Sequence, residues 1–506
     1  MVGTAMVGTA KSPVTTEIQP HFEYNKPLDH LFFARSVTIV GATPKPNFGV
    51  GMFMSAFRHS HYPNPVYLVN PKYADLKEIK GMPIYASISD VPDELDYVIC
   101  AIKAKFVPDL IRDCVKKKAK YVCVFTSGFG ETLSKEGRQT EQEIRNIIRG
   151  SQTRIIGPNC LGALCPKMGI TFNPTYDKTP GNIAFASQSG GIATTLIEIQ
   201  KLYSLYYSKG LSFGNQIDLN CLEMLEYYGQ DPETDVIGMY LESTGTADGN
   251  AFFEEMRKVT KKKPVVIWKG GQNELGARAA ASHTGAIAGS LKIWSAAVDQ
   301  AGGTFVTTSR EFWSTLHLLS RIYPNRLPQG KKMGIIVAGG GASVEMTDTF
   351  SNLGFEIPEF DSEIQTRIQE IFPDVNTSVR NPIDTGATGF ITDTVIKSVK
   401  VMDKSDLDIL IFYSPMNWLT QIERQGVPDH TTSVARSLGR LNRKLSKIFA
   451  IICPIFEMSE FNAKKSLEFK QLLWENNIPH FESIIEAGVA LKHAYRYSNC
   501  LKINHD

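Results

Sequence analysis

The sequence predicts an α/β protein built as three consecutive domains, each with a parallel sheet between helices. Three observations predict it. Short, β-branched, wholly apolar runs alternate with helical stretches, the pattern of strands buried on both faces. Several of these runs end in glycine just before a helix begins. The same strand–glycine–helix unit recurs along 506 residues. At roughly 100–200 residues per domain, that is enough chain for three or four.

The elements follow in order. Residues 1–25 read as a flexible tail: a doubled Met-Val-Gly-Thr-Ala, then a polar stretch to Pro20, without a signal peptide's apolar core or a transit peptide's arginines. The first domain, 26–153, opens with the strand Ser36–Val40 and Gly41. A Pro/Gly loop and the helical pattern Met52–Arg58 come next, then the strand Val66–Val69 ending in Asn70-Pro71-Lys72. Tyr97–Ile102, a helix over Val107–Lys117, Tyr121–Phe125, the turn Ser127-Gly-Phe-Gly130 and a charged helix to Arg149 complete it. The second domain, 154–328, has the strand Asn182–Ala186, the turn Ser187-Gln-Ser-Gly-Gly191 and a helix to about Tyr203. Val236–Leu241, a helix over Asn250–Thr260 and Pro264–Trp268 follow. Pro324, Pro328 and Gly330 mark a linker over Tyr323–Lys332. The third domain, 329–506, repeats the unit with Met333–Ala338, Gly339-Gly-Gly341, Leu407–Tyr413 and Ile448–Ile455.

Composition excludes several functions. Lys+Arg is 54 against Asp+Glu 52, a net charge of +2, so no chain-wide basic footprint for nucleic acid exists. No apolar run reaches the roughly 18 residues of a membrane span. Charged residues are 21%, which rules out wholesale disorder. Eight cysteines without a CxxC, and ten scattered histidines without zinc spacing, predict reduced thiols, no metal site and a cytoplasmic protein.

The glycine loops point to anions. A strand ending in glycine before a helix N-terminus offers free N–H groups and a favourable dipole. In the first loop Gly41, Gly49 and Gly51 do not fit G-x-G-x-x-G, and Lys72 stands where a NAD site wants an acid. That favours a phosphorylated nucleotide such as coenzyme A or NADP; the structural alternative is an ordinary strand–helix turn with a surface lysine. Ser187–Gly191 reads as an oxyanion or phosphate cradle, not a nucleophile elbow, because Ser187 occupies the place of the first glycine of G-x-S-x-G. Gly339–Ser343 reads as tight strand–helix packing.

The most unusual stretch is Ala279–Gly289, where His283 stands among small residues. It has neither bulky neighbours to pack nor partners at metal-ligand spacing. A neutral imidazole there is a nucleophile toward phosphoryl groups if its other nitrogen has an orienting partner. Glu242, at the C-terminal end of the Val236–Leu241 strand, is the candidate partner, and Arg278 could help neutralise a phosphate.

The chain resembles the NDP-forming acyl-CoA synthetases, relatives of succinyl-CoA synthetase, and in particular the α subunit of the ADP-forming acetyl-CoA synthetases. The likeness runs from about Leu31 to near the C-terminus. It is carried by Ser36–Thr43, Val69–Lys72, Thr126–Glu131, Gly157–Gly162, Ser187–Gly191, Gly214-Asn215 with Asp218, Ser282–Gly285 and Asn381–Asp384. The resemblance implies a Rossmann-like CoA-binding domain followed by two flavodoxin-like domains. It implies that Gly41, Thr43, Lys72, Ser127, Asn159 and Cys160 border CoA. It implies that His283 is phosphorylated, that Glu242 orients it, and that Ser187, Gln188, Ser189, Gly190 and Gly191 receive the phosphate.

The implied reaction interconverts acyl-CoA, phosphate and ADP with acid, ATP and CoA, through acyl phosphate and phosphohistidine. ATP/ADP and Mg would sit on an ATP-grasp β subunit, in a heterotetramer, because no such domain follows Asp506. Ala101-Ile-Lys-Ala104 departs from the family's Ala-Val-Pro-Ala and puts Lys103 at the CoA edge. Two other functions are compatible with the fold: a CoA-binding regulatory or scaffold protein without turnover, and a nucleotide-independent relative that uses acyl-CoA.

Overall fold

A computed structural model describes residues 24–47, 49–273, 275–276, 291–372, 377–386 and 392–503. Its three sheets are the three predicted α/β units. The first contains β1 (Val37–Val40), β2 (Val66–Val69), β3 (Glu78–Ile79), β4 (Met82–Tyr85), β5 (Tyr97–Cys100), β6 (Tyr121–Val124) and β7 (Arg154–Ile156), in the order β3-β4-β2-β1-β5-β6-β7. Only the β3–β4 pairing is antiparallel. Strand order reverses at β1, so β1 and β5 border a crevice at their C-terminal ends, where open α/β sheets bind ligands.

The second sheet contains β8 (Gly162–Leu164), β9 (Ile183–Ser187), β10 (Tyr207–Ser212), β11 (Val236–Leu241), β12 (Val265–Lys269) and β13 (Thr304–Val306), in the order β13-β12-β11-β9-β10-β8. Here the reversal falls at β9, flanked by β10 and β11. The third sheet contains β14 (Met333–Val337), β15 (Ile383–Asp384), β16 (Ile409–Tyr413), β17 (Ile448–Ile452) and β18 (His480–Phe481), all parallel, in the order β15-β14-β16-β17-β18.

The predicted domain limits shift. A boundary at 153/154 would sever β7, whose Arg154, Ile155 and Ile156 pair with Tyr121, Val122 and Cys123 of β6. The first sheet therefore runs to Ile156. At the other end Tyr24 and Asn25, placed in the predicted tail, belong to the fold: Tyr24 stacks on His30 at 4.2 Å, and the Asn25 N–H donates to Asp29 at 3.0 Å. The short helix Asp29–Phe32 then seats on the second domain, with the Tyr227 hydroxyl donating to Asp29 at 2.8 Å.

The predicted linker is fixed at both ends. The Tyr323 hydroxyl donates to Lys262 O of the second domain. Arg326 donates to Asn442 of the third at 2.7 Å. These two domains are further joined by helix Ser309–Ile322 packing on helix Ile484–Ile503. Arg310 pairs with Glu486 at 2.6 Å, and the His480 N–H donates to His317 Nε2 at 3.0 Å. Among the described residues no helix is long and apolar enough to cross a membrane.

Candidate active site

The C-terminal ends of β9 and β11 meet the first sheet across a pocket of about 490 Å³. Asn159, Cys160, Gln188, Ser189, Gly190, Gly191 and Glu242 line it, with walls from Phe125, Leu161, Ile192 and Tyr240. Leu161 falls within the Gly157–Gly162 match, and Tyr240 stands two residues before Glu242, the spacing of one strand face; Phe125 and Ile192 were not singled out in the sequence.

Beyond β9 the chain turns into helix Gly190–Glu198, with Ser189 as N-cap: its hydroxyl accepts from the Ile192 N–H at 3.4 Å. The Gly190 and Gly191 amides belong to the first turn, where no intrahelical acceptor exists and the helix dipole is positive. Gly191 is exposed toward the pocket. This is the geometry that holds a phosphate.

Two members of the predicted cradle do other work. Ser187 is fully buried, and its hydroxyl donates to Ser189 O at 2.7 Å, bracing the turn. Gln188 is a strut between strands. Its backbone N–H donates to Tyr240 O at 3.0 Å, and its Oε1 accepts from the N–H groups of Glu242 (2.7 Å) and Ser243 (3.1 Å).

Glu242 is therefore held by its backbone at the edge of the pocket, 8% exposed. The Tyr240 hydroxyl donates to its Oε1 at 3.3 Å. Burial, then the neighbouring Glu242 carboxylate, raise the Tyr240 phenol above its ordinary range, so it stays a donor. Gly270 makes room: a Cβ there would lie 2.4 Å from the Tyr240 hydroxyl and 3.1 Å from Glu242 Cγ. Next to it Lys269 is fully buried; desolvation lowers its pKa, and Glu242 opposes that.

The structure separates the six residues expected to border CoA into two groups. Asn159 and Cys160 line the pocket. Asn159 adopts a left-handed φ of 58°, which asparagine tolerates, and its N–H donates to Thr126 O at 3.0 Å. Cys160 lies 3.5 Å from Cys123; burial first, then Cys123, push its thiol well above the ordinary value, so it is neutral. Gly41, Thr43, Lys72 and Ser127 lie outside this lining, along the C-terminal edge of the first sheet.

Close packing and a hydrogen bond shape that edge. Gly41 has φ +98°, and a Cβ there would lie 2.5 Å from Ala101 O, so only glycine lets β1 and β5 end side by side. Asn70 ties β2 to β1 through Ala42 O at 2.8 Å and caps the turn that carries the exposed Lys72. Phe125 links the edge to the pocket, packing edge-on against Phe53 at 5.2 Å. His283 and Arg278 lie outside the described residues.

Two family models match in the same order as these parts. A CoA binding domain covers residues 35–166, and a succinyl-CoA ligase-like flavodoxin domain covers 180–319. The chain is 33% identical over 478 residues to the α subunit of acetate–CoA ligase (ADP-forming) I of Pyrococcus furiosus, covering 93% of this chain and 98% of that one. It is 30% identical to the α subunit of the form II enzyme, over 90% and 94%.

This chain belongs to the α-subunit family of the ADP-forming acyl-CoA synthetases.

A solved acetyl-coenzyme A synthetase 1 from Ca. Korarchaeum cryptofilum, in complex with phosphate and ADP, superposes with a TM-score of 0.79 at 27% identity, covering 94% of this chain and 97% of that one. The 4-hydroxybutyrate–CoA ligase (ADP-forming) of Nitrosopumilus maritimus is 32% identical over 378 residues, and the match covers only 52% of that longer protein. Within this synthetase α subunit, the CoA-binding domain supplies β1–β7, and the flavodoxin-like ligase domain supplies the helix start and Glu242.

Proposed function

We propose that this α subunit is an acid–thiol ligase that interconverts acyl-CoA, phosphate and ADP with a carboxylic acid, CoA and ATP. Phosphate attacks the thioester carbonyl; the C–S bond breaks, CoA leaves as its thiol, and acyl phosphate forms. An imidazole nitrogen of His283 then attacks phosphorus; the P–O bond to the acyl group breaks and the carboxylate departs. The phosphoryl group passes from His283 to ADP, and every step reverses. Gly41, Thr43, Lys72 and Ser127 border the nucleotide end of CoA, and Asn159 and Cys160 its thiol end. Ser189, Gly190 and Gly191 take the phosphate, with Ser187 and Gln188 bracing that turn.

The observation that carries this reading is the placement of a strut-held carboxylate, Glu242, in one pocket with an open helix N-terminus. The helix start stabilises the phosphoryl anion, while Glu242 fixes one tautomer of His283 and stabilises the ring as it gains charge. An ATP-grasp β subunit, assembled with this chain as a heterotetramer, holds ADP/ATP and Mg. The longer single-chain relatives, about half of which this chain matches, support such a division of labour.

The decisive test is phosphate labelling. Incubation with acyl phosphate, or with ATP and the β subunit, labels the chain with an acid-labile, base-stable phosphate. His283→Ala abolishes label and turnover and leaves CoA binding intact. Full labelling of His283→Ala would overturn the relay. A wild type that binds CoA but never labels would favour a CoA-binding protein without turnover.

A further inference from the structure

The Gly214-Asn215…Asp218 motif has no part in the relay, yet the chain is built tightly around it. Gly214, at φ +50°, lies so close to the pocket turn that a Cβ would stand 2.1 Å from Pro158 O and 2.5 Å from Asn159 O. The Asn215 N–H donates to Pro158 O at 3.0 Å, and the Ile217 N–H donates to Gly157 O at 3.1 Å. Asp218 anchors the end of this segment, pairing with Arg154 at 3.0 Å and accepting from the Ile155 N–H at 2.7 Å.

The Asn215 side chain crosses into the first domain. Its Nδ2 donates to Glu131 Oε2 at 2.6 Å and to Glu141 Oε1 at 3.0 Å. The amide orientation is fixed, since the reverse would turn a carbonyl oxygen onto two carboxylates. Those carboxylates in turn hold the Ser127–Gly130 loop. Glu131 Oε1 accepts from the N–H groups of Gly128 (2.6 Å) and Phe129 (3.2 Å), and Glu141 Oε1 accepts from that of Gly130 (3.0 Å). Glu131 is only 7% exposed. Three backbone N–H groups and both hydrogens of one asparagine thus hold two carboxylates that would otherwise repel. The same N–H groups are turned away from any CoA phosphate, so this loop contributes its shape and the exposed Ser127.

We propose that Asn215 is a positioning residue for CoA. Through Glu131 and Glu141 it fixes the Ser127–Gly130 loop, and through its backbone it fixes the Pro158–Asn159 turn, so the ligase domain sets the shape of both CoA-side loops. The inference rests on the CoA-bordering role of Ser127 and Asn159 proposed above.

Calorimetry of CoA binding to the full chain tests it, comparing the wild type with Asn215→Ala and Asn215→Asp. Losing both donors to charged acceptors weakens CoA binding about tenfold in Asn215→Ala. Asn215→Asp keeps the shape but adds a third carboxylate, so it loses more, the reverse of the order expected from lost packing alone. Hydrogen exchange at Gly128–Gly130 speeds up in both variants. With the β subunit present, KM for CoA rises while His283 labelling from ATP, which needs no CoA, keeps its wild-type rate.

Wild-type CoA affinity in both variants overturns the inference. So does a parallel loss of CoA binding, labelling and melting temperature, which would mark Asn215 as generally structural. A wild type that does not bind CoA overturns the functional reading itself, and this inference with it.

Discussion

The second and third domains each begin a helix on glycines directly after a parallel strand, and the two starts differ in what surrounds them. In the second domain Ser189 caps helix Gly190–Glu198, and the nearby acid, Glu242, is held at the pocket edge by Gln188 and Tyr240. In the third domain Gly339, at φ +109°, precedes helix Gly340–Asn352 with no side-chain cap. There Asp384 Oδ1 accepts from the N–H groups of Gly339 (2.9 Å) and Gly386 (3.0 Å), so the protein supplies its own anion at the helix start. The same backbone grammar leaves first-turn amides at the pocket in one place and gives a self-neutralised turn in the other. The deciding feature is where the acid of the neighbouring strand is anchored.

The largest expected effect tests the held acid. Glu242→Gln keeps the shape and the backbone contacts to Gln188 but removes the charge facing the proposed phosphorylated ring. Labelling of His283 from acyl phosphate should slow roughly 10²–10⁴-fold, the range for a positioned acid or base, with CoA affinity unchanged. Equal labelling rates would leave the Glu242 charge without a role. Gln188→Leu probes the anchor itself. It strands the N–H groups of Glu242 and Ser243, at about 1–3 kcal/mol each, so denaturant titration should show lost stability and labelling should slow with it.

Acid tests the joint that holds the two domains together. Burial, then Arg321, lower the His317 pKa to about 3, and burial lowers His480 well below its usual value. In the folded protein both are neutral, whereas in the unfolded chain they take protons below about pH 6.5. The unfolded state therefore binds more protons. Stability is fully present above pH 6.5 and falls as the pH drops from there toward 3. His493, lowered to about 4 chiefly by burial, adds to the same slope. Unfolding free energy measured between pH 7 and 4 should fall steeply, and His317→Gln should flatten the curve.

The fold was legible where strands are uniformly apolar. β1, β5, β6, β11, β14 and β16 read directly because each is buried on both faces. β10 did not, because Lys209-Gly210 interrupts it. The structure buries Lys209 completely between Asp231 and Glu233, each at 2.8 Å, and Gly210 makes space for the Phe185 ring. Neither compensation is visible one residue at a time. Of the site, the glycine turn and Glu242 were legible as strand ends before helices. The strut role of Gln188 was not, since it depends on β9 and β11 lying side by side, a pairing set by topology. The third glycine loop was misread as tight packing for the same reason. A Cβ at Gly339 or Gly341 would meet nothing within 4 Å, and one at Gly340 would come no closer than 3.8 Å to Asp384.

The smallest expected effect is also the sharpest test of the comparison: alanine in each helix start. At Gly341 the added methyl faces open space, and at Gly191 its nearest neighbour is Ser189 Oγ at 3.7 Å, an ordinary contact. Neither substitution is sterically opposed, and both remove backbone freedom from the unfolded chain. Each should stabilise the protein by up to about 0.5–1 kcal/mol, read as a higher denaturant midpoint at unchanged slope. Their functional effects should part. The methyl at Gly191 stands where the proposed phosphate would approach the first-turn amides, so Gly191→Ala should slow His283 labelling while raising stability. Gly341→Ala should raise stability alone, because Asp384 already supplies the negative charge at that helix. If Gly191→Ala labels at the wild-type rate, the phosphate does not sit at this helix start. If Gly341→Ala slows labelling as much as Gly191→Ala, the two starts act alike, and the position of the neighbouring acid does not separate them.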